Sequence, residues 1–117
     1  MSFKRFQYTF VNGLPIEEQR EAFNRYVVPE SRRVPRESLR ARIDFRKSHE
    51  PILLIAGSSD HIVPARLNRA NYAKYQRGSS SVVDYKEFKG RTHFTIGQQN
   101  WEQVADQVLE WIKERGL

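Results

Sequence analysis

The strongest constraint on this chain is the uninterrupted apolar run Ile52-Leu53-Leu54-Ile55-Ala56, bounded by Pro51 and Gly57. A strand with one solvated face alternates apolar and polar side chains, whereas a run without alternation fits a parallel strand covered on both faces. Parallel pairing needs a crossover, so a helix and a second strand must follow. Pro64 opens such a helix, running to about Gln76 and packing Leu67, Ala70 and Ala73, with Gly78 where a left-handed cap is common. Val82 to Phe88 reads as the second strand, and its mixed polarity places it near a sheet edge.

The remaining elements follow from periodicity. Trp101, Val104, Ala105, Val108, Leu109 and Ile112 fall at helical spacing behind a capping-box pattern, Asn100-Trp-Glu-Gln103, and Gly116 marks the helix end. Trp101 and Trp111 are expected to pack, with Trp111 off the main stripe at the edge of the core or in a subunit contact. Upstream, Phe6, Tyr8 and Phe10 alternate with polar residues, which predicts a short strand or extended arm over residues 3–11. A helix starts at Pro15, carries Ile16, Phe23, Tyr26 and Val27 on one side, and ends before Pro29. Residues 30–37 read as a loop, with a short helix around Leu39 to Ile43. The expected fold class is α/β, a small mainly parallel sheet with flanking helices. Residues 1–50 supply an arm, a helix and a basic loop, and residues 51–117 the core of one domain.

The chain has 117 residues, 38% of them hydrophobic, and no cysteine, so a disulfide, a thiolate metal site and a cysteine nucleophile are excluded. No run approaches the ~20 apolar residues that span a bilayer, and Met1-Ser-Phe-Lys-Arg lacks the apolar stretch of a secretory signal. A cytoplasmic protein without membrane contact is the expectation. The net charge of +6 gathers at Arg32, Arg33, Arg36, Arg40, Arg42, Arg46 and Lys47. With no aromatic interleaving, that segment reads as a solvated surface rather than a nucleic-acid interface.

Two loops carry chemistry. Gly57-Ser-Ser-Asp60 leaves the first strand, and Gly90-Arg-Thr-His93-Phe94 leaves the second. A carboxylate that accepts the Nδ1 proton of an imidazole holds it in one tautomer and frees Nε2 as a general base. Asp60 read alone is equally a turn or helix-capping residue, and His49 and His61 read as surface residues. Tyr72 and Tyr75 suit packing better than a pocket lining. A metal set of Asp60, His61 and His93 is disfavoured because two adjacent residues rarely present a proper ligand set, and no cofactor is expected.

The segments Ala56-Gly-Ser-Ser-Asp-His-Ile-Val-Pro64 and Phe88-Lys-Gly-Arg-Thr-His-Phe94 resemble the acid and histidine loops of the α/β-hydrolase family. Tyr8-Thr-Phe-Val-Asn12 and Tyr26-Val-Val-Pro-Glu30 resemble cap-region sequence of its small bacterial members. The resemblance implies a partial α/β-hydrolase fold, with Asp60 and His93 as catalytic acid and base. It also exposes a gap, since the family's nucleophile sits on a Gly-x-Ser-x-Gly turn that is absent from this sequence. Ser58 and Ser59 lie beside Asp60, where that geometry puts no nucleophile.

Such a chain is not expected to be an efficient hydrolase alone, and whether it is an enzyme at all stays open. The expected readings are a truncated hydrolase-like remnant or fragment, half of a split esterase-like hydrolase completed by a second polypeptide, or a non-catalytic module that self-associates or binds polyanions. A strand such as Ile52 to Ala56 expects neighbours on both sides, so a homodimer or a missing hydrolase half is the expected partner.

Overall fold

The apolar run forms strand β1 (Ile52–Gly57), which pairs in parallel with β2 (Val83–Phe88) from Ile52↔Val83 through Gly57↔Phe88. The computed structural model describes residues 1–29, 31, 33–38 and 40–116. Helices α1 (Phe3–Thr9), α2 (Ile16–Tyr26) and α3 (Arg33–Ser38) precede β1; α4 (Ala65–Gly78) joins the strands, and α5 (Glu102–Arg115) follows β2. The protein is mixed α/β, with a two-stranded parallel sheet among the described residues.

Side-chain alternation gives the sheet two distinct faces. Ile52, Leu54 and Ala56 share one with Val83, Tyr85 and Glu87. This face meets α4, where Arg69 pairs with Glu87 at 2.5 Å and the Tyr85 hydroxyl donates to Glu87 at 2.7 Å. Asp84 lies on the opposite face and accepts from the Trp111 indole at 2.6 Å and from Arg115 at 2.7 Å. Helices α4 and α5 therefore sandwich the sheet, and Trp111 acts as a polar tie to β2. Tyr72 packs on Tyr85, and Tyr75 on Phe45 and His49.

A second core lies at the N-terminus, where Phe6, Val11 and Ala22 are buried beneath Phe10, Leu14, Phe23, Val27 and Phe94. In place of the expected short strand or extended arm over residues 3–11, the chain forms helix α1 over Phe3–Thr9. Phe3, Phe6 and Phe10 recur at helical spacing; Phe3 and Phe6 pack on Phe23, and Phe6 stacks on Phe10, while Tyr8 is 67% exposed. The Ser2 hydroxyl caps the helix by accepting the Arg5 N–H at 3.4 Å. Period 3.6 thus overrides the apparent alternation.

Other boundaries moved for local reasons. Helix α3 occupies most of the expected loop, started by Ser31 accepting the Arg33 N–H and supported by an Arg33–Glu37 pair at 2.6 Å. Pro35 stands in its first turn, where proline is tolerated. Residues 40–43 are not helical, and Glu30, Arg32 and Leu39 lie outside the described residues. Gly78 ends α4 without a left-handed cap. A side chain there would stand 2.4 Å from the Phe45 carbonyl oxygen, so the glycine serves a close backbone approach. The expected capping box of α5 does not form: Asn100 has φ 57° and Trp101 is the N-cap, without a side-chain bond. Gly116 takes the left-handed cap at φ 67°.

Much apolar surface stays uncovered. On α5 only Val104 is buried, while Trp101 and Leu109 are about half exposed. Ile55, Ile96, Val104, Val108 and Ile112 line a shallow apolar groove. The radius of gyration, 16.1 Å, exceeds the ~13 Å of a compact domain this long. Ile52 N–H bonds to the Val82 carbonyl and Ser58 N–H to that of Phe88, so the intervening alternation turns the Leu53 and Ile55 amides away from β2. No strand pairs with that edge among the described residues.

The Tyr85 hydroxyl and the Arg69 guanidinium hold the Glu87 carboxyl below its usual range. A carboxyl more acidic when folded adds stability above its unfolded value, about pH 4.3, and loses it as the pH falls through the folded value. Below that pH, Glu87→Gln is expected to show a shallower decline of Tm with acidification than the parent. Superimposable slopes would show that the pair contributes nothing.

Candidate functional site

Parallel pairing brings the exits of β1 and β2 to one end of the sheet, and their loops are fastened together there. Ser59 N–H donates to the Arg91 carbonyl at 2.9 Å, and Gly90 N–H donates to the Ser58 hydroxyl at 2.8 Å. Gly57 makes this approach possible, because a Cβ there would sit 2.3 Å from the Arg91 carbonyl oxygen.

Asp60 and His93 meet across this junction. Asp60 Oδ2 lies 2.9 Å from His93 Nδ1. The other oxygen, Oδ1, accepts the N–H groups of Ile62 at 2.7 Å and Val63 at 2.9 Å. One carboxylate therefore shapes the turn into α4 with one oxygen and orients the imidazole with the other. Because a carboxylate only accepts, Nδ1 carries the proton and Nε2 presents its lone pair. Among the described residues Nε2 has no hydrogen-bond partner, and the His93 side chain is 31% exposed against 8% for Asp60.

The base loop has its own internal frame. Arg91 is buried, donating to the Thr95 carbonyl at 2.9 Å and to that of Asn100. Thr92 is also buried, with its N–H and hydroxyl both bonded to Gln98 Oε1. On the far side, the Phe10 ring stands edge-on to the imidazole at 5.0 Å between centroids. Sequence reading missed Arg91, Gln98, Phe10 and Asn12; only Arg91, inside the histidine motif, carried a local signal.

Of the other two histidines, His61 keeps its expected surface position and His49 does not. His61 is exposed, yet its Nδ1 donates to the Tyr8 carbonyl at 2.7 Å. His49 is half-buried, with Nδ1 on the Glu50 carbonyl, its ring on Tyr75, and Nε2 buried without a partner among the described residues. No group of three or more metal-ligating side chains occurs among the described residues. Ser58 and Ser59 sit at the loop junction, the Ser58 hydroxyl accepting Gly90 N–H. A cleft of about 560 Å³ opens between α2 and residues 94–102, with Glu18, Tyr26, Phe94 and Trp101 among its walls; His93 does not line it.

Fold and site define a small α/β protein with a carboxylate-oriented histidine at the C-terminal end of a parallel sheet. No protein-family model and no curated protein matches the sequence. No helix is long and apolar enough to cross a membrane among the described residues.

Gly57→Ala is expected to cost about 3 kcal/mol, because the added methyl meets backbone rather than a yielding side chain. Denaturant unfolding measures that loss, and an unchanged midpoint would mean that the loops can separate freely.

Proposed function

We propose that this chain supplies the acid–base pair of an ester-type hydrolytic site, Asp60 orienting His93, and that the nucleophile comes from outside the described residues. The observation that carries this reading is the 2.9 Å Asp60–His93 contact, with both carboxylate oxygens engaged and Nε2 without a partner among the described residues. In the step this suits, Nε2 takes the proton of an attacking hydroxyl as its oxygen bonds to the substrate carbonyl carbon. The carbonyl electron pair moves onto oxygen, and collapse of the intermediate expels an alkoxide that receives the proton back from Nε2. Asp60 stays ionised throughout and stabilises the transient imidazolium. The resemblance of the two loops to those of α/β-hydrolases agrees with this division of roles.

Without its nucleophile the pair retains weak activity, with Nε2 acting on water. The chain is expected to turn over p-nitrophenyl acetate slowly, with the rate lost in His93→Ala and lowered about 100-fold in Asp60→Asn, whose amide disfavours the productive tautomer. Parent rates in either variant would detach the activity from this pair.

A second reading concerns assembly and is favoured by the outer edge of β1, which no strand pairs among the described residues. The residues of β1 carry no charged side chain, and no Pro within it blocks pairing. Two copies joined antiparallel along this edge form a four-stranded sheet with a two-fold axis. Sedimentation velocity at micromolar concentration is expected to show a dimer that Leu53→Lys converts to monomer. A parent chain that sediments as a monomer removes this reading and leaves the acid–base proposal untouched.

A further inference from the structure

Asp60 is held from both of its chain neighbours by one distant turn. Ser59, before it, offers its carbonyl to Asn12 Nδ2 at 2.9 Å, and His61, after it, donates Nδ1–H to the Tyr8 carbonyl at 2.7 Å. Tyr8 and Asn12 belong to the end of α1 and the turn that follows. The same turn reaches the base loop: the Phe10 carbonyl accepts the Phe94 N–H at 3.1 Å, and the Phe10 ring abuts His93. Tyr8 also stacks its ring beside His61, 4.7 Å between centroids. Residues 8–12 thus touch the acid loop and the base loop at once.

The Asn12 amide shows that this contact carries a cost. Its Oδ1 is buried with no partner among the described residues, a state that destabilises a fold. Rotating the amide does not relieve it, because Oδ1 would then face the Ser59 carbonyl oxygen and the donor to the acid loop would be lost. The retained orientation favours the loop over the satisfaction of Asn12 itself. On the other side of the amide, His61 Nε2 lies 3.5 Å from Nδ2; with Nδ1 protonated against Tyr8, Nε2 is the acceptor. Ser59 carbonyl, Asn12 amide, His61 ring and Tyr8 carbonyl form one chain of donors and acceptors around Asp60.

We infer that Asn12 and His61 are positioning residues for the Asp60–His93 pair, closing a clasp between the α1 turn and the acid loop that fixes the carboxylate against the imidazole. This inference rests on the acid–base reading for its functional meaning, while its geometry can be judged without it. Loosening the clasp lets the acid loop drift from the base loop, and drift on the order of 1 Å lowers the rate by about 10- to 100-fold.

The test uses the full chain and the variants Asn12→Ala, His61→Ala and His61→Gln, the last keeping a side-chain N–H for the Tyr8 carbonyl. Turnover of p-nitrophenyl acetate and the NMR signal of the His93 Nδ1 proton are read together with far-UV circular dichroism and Tm. The two alanine variants are expected to lose about 10- to 100-fold in turnover and to broaden the His93 proton by solvent exchange, with Tm within about 5 °C of the parent. His61→Gln is expected to restore both readouts. A sharp His93 proton in both alanine variants overturns the clasp, whatever the turnover. Should Asp60→Asn keep the parent rate, the acid–base reading fails on its own, and the proton signal still decides the clasp. Should Asn12→Ala lower Tm further than expected, the comparison of His61→Ala with His61→Gln decides it.

Discussion

Because β1 and β2 run parallel, their C-terminal ends emerge at the same edge of the sheet, and the loops that leave them are forced into contact. The Ser59–Arg91 and Gly90–Ser58 hydrogen bonds rivet that contact, and the missing side chain at Gly57 permits it. Asp60 and His93 lie only a few residues beyond these bonds, so neither loop has length in which to wander. An antiparallel pair would deliver the two exits to opposite ends of the sheet. The acid–histidine contact is therefore a consequence of strand direction first and of loop sequence second.

Strand direction was legible in the sequence because it rests on a coarse property, an apolar run without alternation followed by room for a crossover. Asp60 and His93 were legible as candidates because each stands a few residues beyond a strand end, inside a motif of recognisable composition. Helix α5 could be read from its stripe, although its start could not: Asn100 and Gln103 suggested a capping box that the positive φ of Asn100 precludes. Arg91 binds the Asn100 carbonyl, and that bond ties the start of the helix to the base loop rather than to its own side-chain cap.

The N-terminal segment was misread because two periodicities overlap in it. Phe6, Tyr8 and Phe10 satisfy a period of two, while Phe3, Phe6 and Phe10 satisfy a helical one, and the choice depends on what covers them. Phe23 on α2 and Phe94 on the base loop provide that cover, and neither is visible from a local window. Asn12 was illegible for the same reason. An asparagine before a glycine is an ordinary turn signal, and its bond to the Ser59 carbonyl spans 47 positions of sequence.

The distribution of burial separates what is finished in this structure from what is not. The junction between the two loops is dense: Asp60, Arg91 and Thr92 are buried polar residues, and each has hydrogen-bond partners. The outer edge of β1 and the apolar side of α5 are the reverse, with no strand on the edge amides among the described residues and Trp101 and Leu109 half exposed. At the loop junction polar groups are enclosed, while on α5 and the outer edge of β1 apolar side chains are left open. Apolar burial is non-directional, so the uncovered stripe of α5 alone specifies no partner. Edge amides are directional, and Leu53 and Ile55 ask for an extended backbone alongside. Any partner of this face would therefore be selected by the strand edge, with the helix stripe adding affinity once a strand is in place.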